Sequence, residues 1–284
     1  MTLSPRQLLI LCCFFRFGPL TSTQIRDRFL PNDKSGRGTR RALEKLRRLG
    51  LLMKYTMHVL NPQNGASLPV HDITDRGREI LSVAFGSDGY LVRPLGTVPA
   101  MHLFHATCVA GMYMTLDDAV AAQDLVEVQA SYREHEVINK EEPDRAKQFS
   151  LFTHFCEKPR LVCQPDLGFA LNVRGHVAAF YIEFETGSSG PRWVAQRKAK
   201  GYSELAKKSA HKRHFPKVTV SAPYVLAVGP NPNYRDALIR HMKSREGNDL
   251  WRFASVTDVS PDTFLFEPIW YRVGSDAPYP LVKR

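Results

Sequence analysis

Apolar residues recur at helical spacing from the start of the chain. Leu8, Leu11, Cys12 and Phe15 fall on one stripe, Ser4 stands where a cap is needed before Pro5, and Gly18-Pro19 ends the run. Thr21 or Ser22 can cap a second, shorter helix through Ile25 to Phe29, followed by turn residues from Pro31 to Gly36. A third helix is predicted from about Arg37 to Leu49, stopped by Gly50. Leu51 to Thr74 alternates in places and carries Asn61-Pro62 and Asn64-Gly65, the marks of a two-stranded hairpin, and Thr74 can cap a fourth helix that holds Gly77 in its first turn. Residues 86–99, with three glycines and two prolines, read as a linker. Beyond it the pattern predicts a helix from His102 to Ala122, strands at Leu125–Tyr132, Leu161–Asn172 and His176–Glu185, a helix from Arg192 to about Lys208, a strand at Tyr224–Val228, a helix at Tyr234–Ser244 and a strand at Trp251–Val256. That order implies an α/β domain with a mixed sheet, α+β when the chain is taken whole.

Composition adds limits. A hydrophobic share of 43 % over 284 residues supports a sizeable core, and no apolar run reaches the ~20 residues of a membrane-spanning helix. The stretch Leu8 to Phe17 is short, interrupted by Arg16 and lacks a small-residue cleavage site, so a cytoplasmic protein without a membrane partner is expected. Five cysteines without paired ligand spacing read as reduced, buried thiols rather than a zinc site. The net charge of +11 is concentrated: residues 36–48 carry +5 and residues 191–217 carry +8, which leaves the rest of the chain at −2. Two local cationic segments point to two contacts with a polyanion, although a solvated helix face would look the same by charge alone.

On the third helix Ala42, Leu43, Leu46 and Leu49 project to one side, and Arg37, Arg40, Arg41, Arg47 and Arg48 to the other, with Lys45 adding to the charge. Apolar residues would seat such a helix while guanidinium groups reach phosphates and the O6/N7 edge of guanine. The order helix, helix, helix, hairpin, helix resembles the winged helix-turn-helix of bacterial repressors, including the Leu49-Gly50-Leu51-Leu52 step out of the third helix and the Ile73-Thr74-Asp75-Arg76-Gly77 step out of the hairpin. Duplex DNA is the partner this implies, with no cofactor needed. A winged helix used only for protein contacts is the alternative.

In Phe180-Tyr181-Ile182-Glu183-Phe184-Glu185 the strand period puts Glu183 and Glu185 on one face, and Asp166 on a neighbouring strand could join them around a hard cation such as Mg²⁺. Pro165-Asp166 followed by Glu183-x-Glu185 resembles the PD-(D/E)xK nuclease fold, except that Glu185 stands where that pattern has lysine. Lys198 on the following helix, with Tyr202 on the same face, could substitute. If active, Asp166, Glu183, Glu185 and Lys198 would be the catalytic set and the three carboxylates the metal ligands. The other readings are a polar strand face or a degenerate nuclease core retained for DNA binding. Arg192, Arg197 and Lys200 follow at once and are expected to grip a phosphodiester backbone; Trp193, Tyr202 and Phe215, interleaved with them, are expected in the core.

Pro165, Asp166, Phe180, Glu183, Glu185, Gly187, Lys198 and Tyr202, behind a winged helix, resemble the replication-relaxation family of plasmid and mobile-element proteins. The resemblance implies a winged helix-turn-helix over residues 1–85, the linker 86–99 and a nuclease-like domain over residues 100–284. It also implies a role in plasmid or phage replication, nicking control or local transcription. We expect a duplex-DNA-binding regulator or replication accessory, as a homodimer on an inverted repeat; a Mg-dependent endonuclease or an inert protein-interaction adaptor are the alternatives.

Overall fold

The computed structural model describes residues 3–56, 69–91, 102–134, 136–138 and 141–283. The chain divides into two compact units, Met1–Met114 and Thr115–Arg284.

The first unit opens with α1 (Pro5–Phe17), held by a reciprocal cap in which Gln7 N–H donates to Ser4 Oγ at 3.3 Å and Ser4 N–H to Gln7 Oε1 at 3.0 Å. Its buried side is Ile10, Leu11, Phe14 and Phe17. The predicted stripe is rotated from this by about one residue, because the helix is apolar nearly all round and spacing alone does not select a face. A two-residue strand, β1 (Leu20–Thr21), was not predicted; it leads into α2 (Ser22–Phe29), for which Thr21 supplies the cap. Next come α3 (Arg37–Arg48), β2 (Leu52–Thr56), β3 (Pro69–Ile73) and α4 (Asp75–Phe85), with the strands forming a sheet in the order β1-β3-β2. Both hairpin strands are thus present, while the turn signals Asn61-Pro62 and Asn64-Gly65 lie outside the described residues. Thr74 Oγ1 accepts from Gly77 N–H at 3.1 Å and donates to Gly50 O at 2.6 Å, tying the start of α4 to the end of the α3 segment. A Cβ at position 77 would stand 2.5 Å from Leu51 O, so glycine is required there.

Of the predicted linker, residues 92–99 lie outside the described residues, and its first part is packed rather than extended. Asp88–Leu91 forms a short 3₁₀ helix whose Tyr90 ring meets Phe15 at 4.9 Å and Phe85 at 5.4 Å. The long helix α5 (Leu103–Ala121) begins in the first unit, where Gln24 Nε2 donates to Thr107 O and Tyr113 meets Phe17 edge-on. These contacts place the point of division inside α5, downstream of residues 86–99.

The second unit is built on a five-stranded sheet of order β10-β9-β8-β7-β4, from β4 (Val126–Arg133), β7 (Leu167–Val173), β8 (His176–Phe184), β9 (Tyr224–Gly229) and β10 (Trp251–Ser255). β8, β9 and β10 run parallel, and β4 and β7 complete the sheet antiparallel. A separate hairpin of β5 (Thr153–Glu157) and β6 (Arg160–Cys163) was missed by the pattern, and the single predicted strand Leu161–Asn172 is two, β6 and β7, broken at Gln164-Pro165-Asp166. Proline has no N–H to give a ladder, which accounts for the break. The helices are α6 (Pro191–Lys207), the short α7 (His211–His214) and α8 (Pro232–Met242). Val194, Ala195, Ala199, Tyr202 and Leu205 of α6 share a core with Tyr181 of β8 and with Leu238 and Met242 of α8. Gly201 lets α6 pass close over β6, since a Cβ there would lie 2.6 Å from Val162 O.

Candidate functional site

The sequence of α3 sorts its side chains as the helical period demands. Thr39, Leu43 and Leu46 are buried, whereas Arg37, Arg40, Arg41, Lys45, Arg47 and Arg48 are all exposed. Gly36 offers no side-chain cap, and the missing acceptor comes from the preceding turn: Asp33 Oδ2 accepts from Thr39 N–H at 2.7 Å and from Thr39 Oγ1 at 2.9 Å. These donors, the Thr39 backbone first, hold the Asp33 carboxyl down at about 2. The turn between α2 and α3 is therefore fixed by a carboxylate that sequence spacing did not single out. The six cations are not equivalent. Arg47 lies bidentate on Glu44, with contacts of 2.8 and 2.9 Å, and Arg48 Nε reaches the same carboxylate at 3.0 Å. Arg37, Arg40 and Arg41 have no ion pair with a described residue.

In the second unit, Asp166, Glu183, Glu185 and Lys198 are brought together. Asp166 stands at the start of β7, whose antiparallel pairing Leu167↔Ile182 sets it beside the end of β8. Its Oδ2 accepts the Phe184 N–H at 2.8 Å. Glu183 and Glu185 emerge on the face that α6 covers, and Lys198 Nζ lies 2.6 Å from Glu183 Oε2 and 2.9 Å from Glu185 Oε1. The Tyr202 hydroxyl donates to Glu183 Oε1. The four-residue spacing of Lys198 and Tyr202 on α6 delivers both donors to one carboxylate.

Electrostatics here is governed by burial. Asp166, Glu183 and Glu185 are all buried, three carboxylates against one ammonium. Desolvation raises the Glu183 carboxyl to about 7, opposed by Lys198 and reinforced by Asp166. Desolvation lowers Lys198, but Glu183, Asp166 and Glu185 outweigh it and hold the ammonium well above the ordinary lysine range. The buried Cys163 thiol is pushed well up by desolvation and then by Glu183. Among the described residues no group of three or more His, Cys, Asp or Glu is arranged to hold a metal ion. A divalent cation does not fit between Glu183 and Glu185 while Lys198 is there, because the ammonium takes that place and both Glu183 oxygens already accept from donors. The cation of this cluster is the protein's own.

Arg192, Arg197 and Lys200 lie exposed on the outer side of α6. Further along the basic segment three of the cations have partners within the protein, while Lys212 and Lys217 are exposed. Lys207 pairs with Glu204 and Glu246, Lys208 with Glu204, and Arg213 donates to Thr153 Oγ1. Tyr202 and Phe215 are buried as expected, but Trp193 is not: it is 48 % exposed, with the Arg197 guanidinium 4.7 Å from its ring centre. Sequence reasoning also missed a buried network in which His214 Nδ1 lies 2.7 Å from the Tyr181 hydroxyl and Nε2 lies 3.0 Å from Thr153 Oγ1. Burial there lowers the His214 imidazole to about 3, so it is neutral. The expectation of buried thiols fails at Cys156, which is exposed, and holds at Cys13 and Cys163.

Fold and site together define a mixed α/β protein that joins a helical unit bearing a cationic helix to a sheet unit bearing a carboxylate–lysine cluster. A family model described as replication-relaxation matches residues 15–219, well over half the chain, and the protein belongs to that family. No curated protein matches it. Among solved structures it is similar to the restriction endonuclease FokI at 13 % identity and a TM-score of 0.30; the match takes in 89 % of this chain and 42 % of that one, a likeness too slight to bear on function. Among the described residues no helix is long and apolar enough to cross a membrane.

Proposed function

We propose that the protein is a sequence-specific duplex-DNA-binding protein of a plasmid or mobile element, acting as a transcriptional regulator or replication accessory. Residues 1–85 are its winged helix-turn-helix and α3 its reading element. The observation that carries this is the open, unneutralised set Arg37, Arg40 and Arg41, opposite a buried side of Thr39, Leu43 and Leu46. Lys45, Arg47 and Arg48 extend the charge toward phosphates, and Arg192, Arg197 and Lys200 add sequence-independent grip. Two copies on an inverted repeat would place two such helices in successive major grooves. In this reading the second unit is a nuclease-like core in which Lys198 takes the place between Glu183 and Glu185, and DNA binding needs no cofactor.

The convergence of Asp166, Glu183, Glu185 and Lys198 favours one other reading, a Mg-dependent endonuclease. It requires Lys198 to leave the place between the two glutamates. Selection of bound fragments from a random duplex library, run with and without Mg²⁺, tests both. We expect a consensus site of two related half-sites, recovered intact in either condition. A library with no enriched sequence contradicts specific binding, and fragments cut only with Mg²⁺, and not by Asp166→Ala, favour the nuclease.

A further inference from the structure

Large aromatic side chains are normally placed where they bury area, and two of the three tryptophans obey: Trp251 and Trp270 are fully buried. Trp193 breaks the rule. Nearly half its surface is open although Arg197 already covers part of the ring, and the core face of α6 is complete without it, in Val194, Ala195, Ala199 and Tyr202. Residues 193, 197 and 200 lie four and three apart, so indole, guanidinium and ammonium share one open stripe, with Arg192 exposed beside them.

Resting on the reading of the chain as a DNA-binding protein, we propose that Trp193 and Arg197 form a stacking platform on which the second unit holds a base of unpaired DNA, with Arg192 and Lys200 on the flanking phosphates. Single-stranded DNA is the occupant this chemistry selects. A flat, electron-rich ring backed by a cation offers a π-face to another ring, and the faces of duplex bases are already covered by their neighbours in the stack. The positive charge on either side of the indole matches a polyanion and repels a basic partner. The carboxylates on the other side of α6 are buried, and Lys198 pairs with two of them, so the open stripe itself presents only positive charge. The two units would then take different forms of DNA, paired bases at α3 and an unpaired strand at α6.

The full chain carries its own reporter, since Trp193 is the open indole. An oligothymidylate of about 16 nucleotides, which cannot pair with itself, is expected to quench tryptophan emission. Measured by anisotropy of a labelled copy at fixed salt, Trp193→Ala is expected to weaken its binding about 5- to 100-fold. Trp193→Phe should keep most of the affinity, and affinity for the selected duplex should stay within about twofold in both variants, since α3 is untouched and Arg192, Arg197 and Lys200 keep their charge for duplex phosphates. Wild-type affinity in Trp193→Ala, or no binding of the oligonucleotide by a protein that still binds its duplex, overturns the platform and leaves the α3 reading standing. Failure to bind either form of DNA overturns both.

Discussion

The two charged regions of this protein put the same chemistry to opposite uses. On α3 the cations face water, and Arg37, Arg40 and Arg41 meet no carboxylate among the described residues. In the sheet unit Lys198 is turned inward, 27 % exposed and locked between two carboxylates that are almost wholly buried. A buried charge must be matched inside the protein because desolvation is costly, and a matched charge has little left for a partner. An exposed charge carries no such obligation, so its field is available to a ligand. The carboxyls make the contrast again: Asp33, at the open end of α3, is held at about 2, whereas Glu183 is raised to about 7.

Removing the inward cation is expected to have the largest effect. Lys198→Met leaves three buried carboxylates without their ammonium and is expected to destabilise the sheet unit by about 3 kcal/mol, the lower end for a broken buried pair because Lys198 is partly open. Denaturant unfolding should show the loss. Lowering the pH from 7 toward 5.5 should recover part of it by supplying a proton. Unchanged stability would mean that the carboxylates do not depend on Lys198.

The pH dependence comes next. A carboxyl raised from 4.5 to about 7 on folding contributes stability that is fully present below 4.5 and is lost as the pH rises through about 7. Asp33, depressed from 3.8 to about 2, contributes above 3.8 and loses its contribution as the pH falls through about 2. Glu183→Gln should therefore flatten the decline in stability between pH 4.5 and 7 and leave the acid limb unchanged. A decline that persists in this variant assigns it to another group.

The smallest effect is expected at Glu44. It holds Arg47 and Arg48 on the protein, so Glu44→Gln should free both guanidiniums, tighten duplex binding severalfold and steepen its salt dependence by up to about 2 in the logarithmic slope. Equal slopes for the two proteins would show that these arginines do not reach phosphate.

How much of this was legible in the sequence follows the range of each interaction. The caps at Ser4, Thr21 and Thr74 and the two-sided character of α3 are local and were readable from spacing. The meeting of Glu183, Glu185 and Lys198 was also readable, because a strand period of two and a helix turn fix which side chains share a face. Arg47 and Arg48 stand three and four residues after Glu44, a spacing that permits both pairs, but the net charge of the helix conceals them. Asp33 reaches six residues ahead to Thr39, outside any local cap pattern. The β5–β6 hairpin turns at Lys158-Pro159 between strands without clean alternation, so no period announces it. The exposure of Trp193 depends on how α6 seats against the sheet, a tertiary fact that composition argues against.

If the open arginines of α3 read duplex DNA, as proposed, the affinity of Arg40→Ala/Arg41→Ala for the selected site must fall. Binding weakened by about 2 kcal/mol or more, roughly thirtyfold, with the unfolding midpoint unchanged, is the result expected. Cognate affinity equal to that of the unaltered protein would contradict the claim.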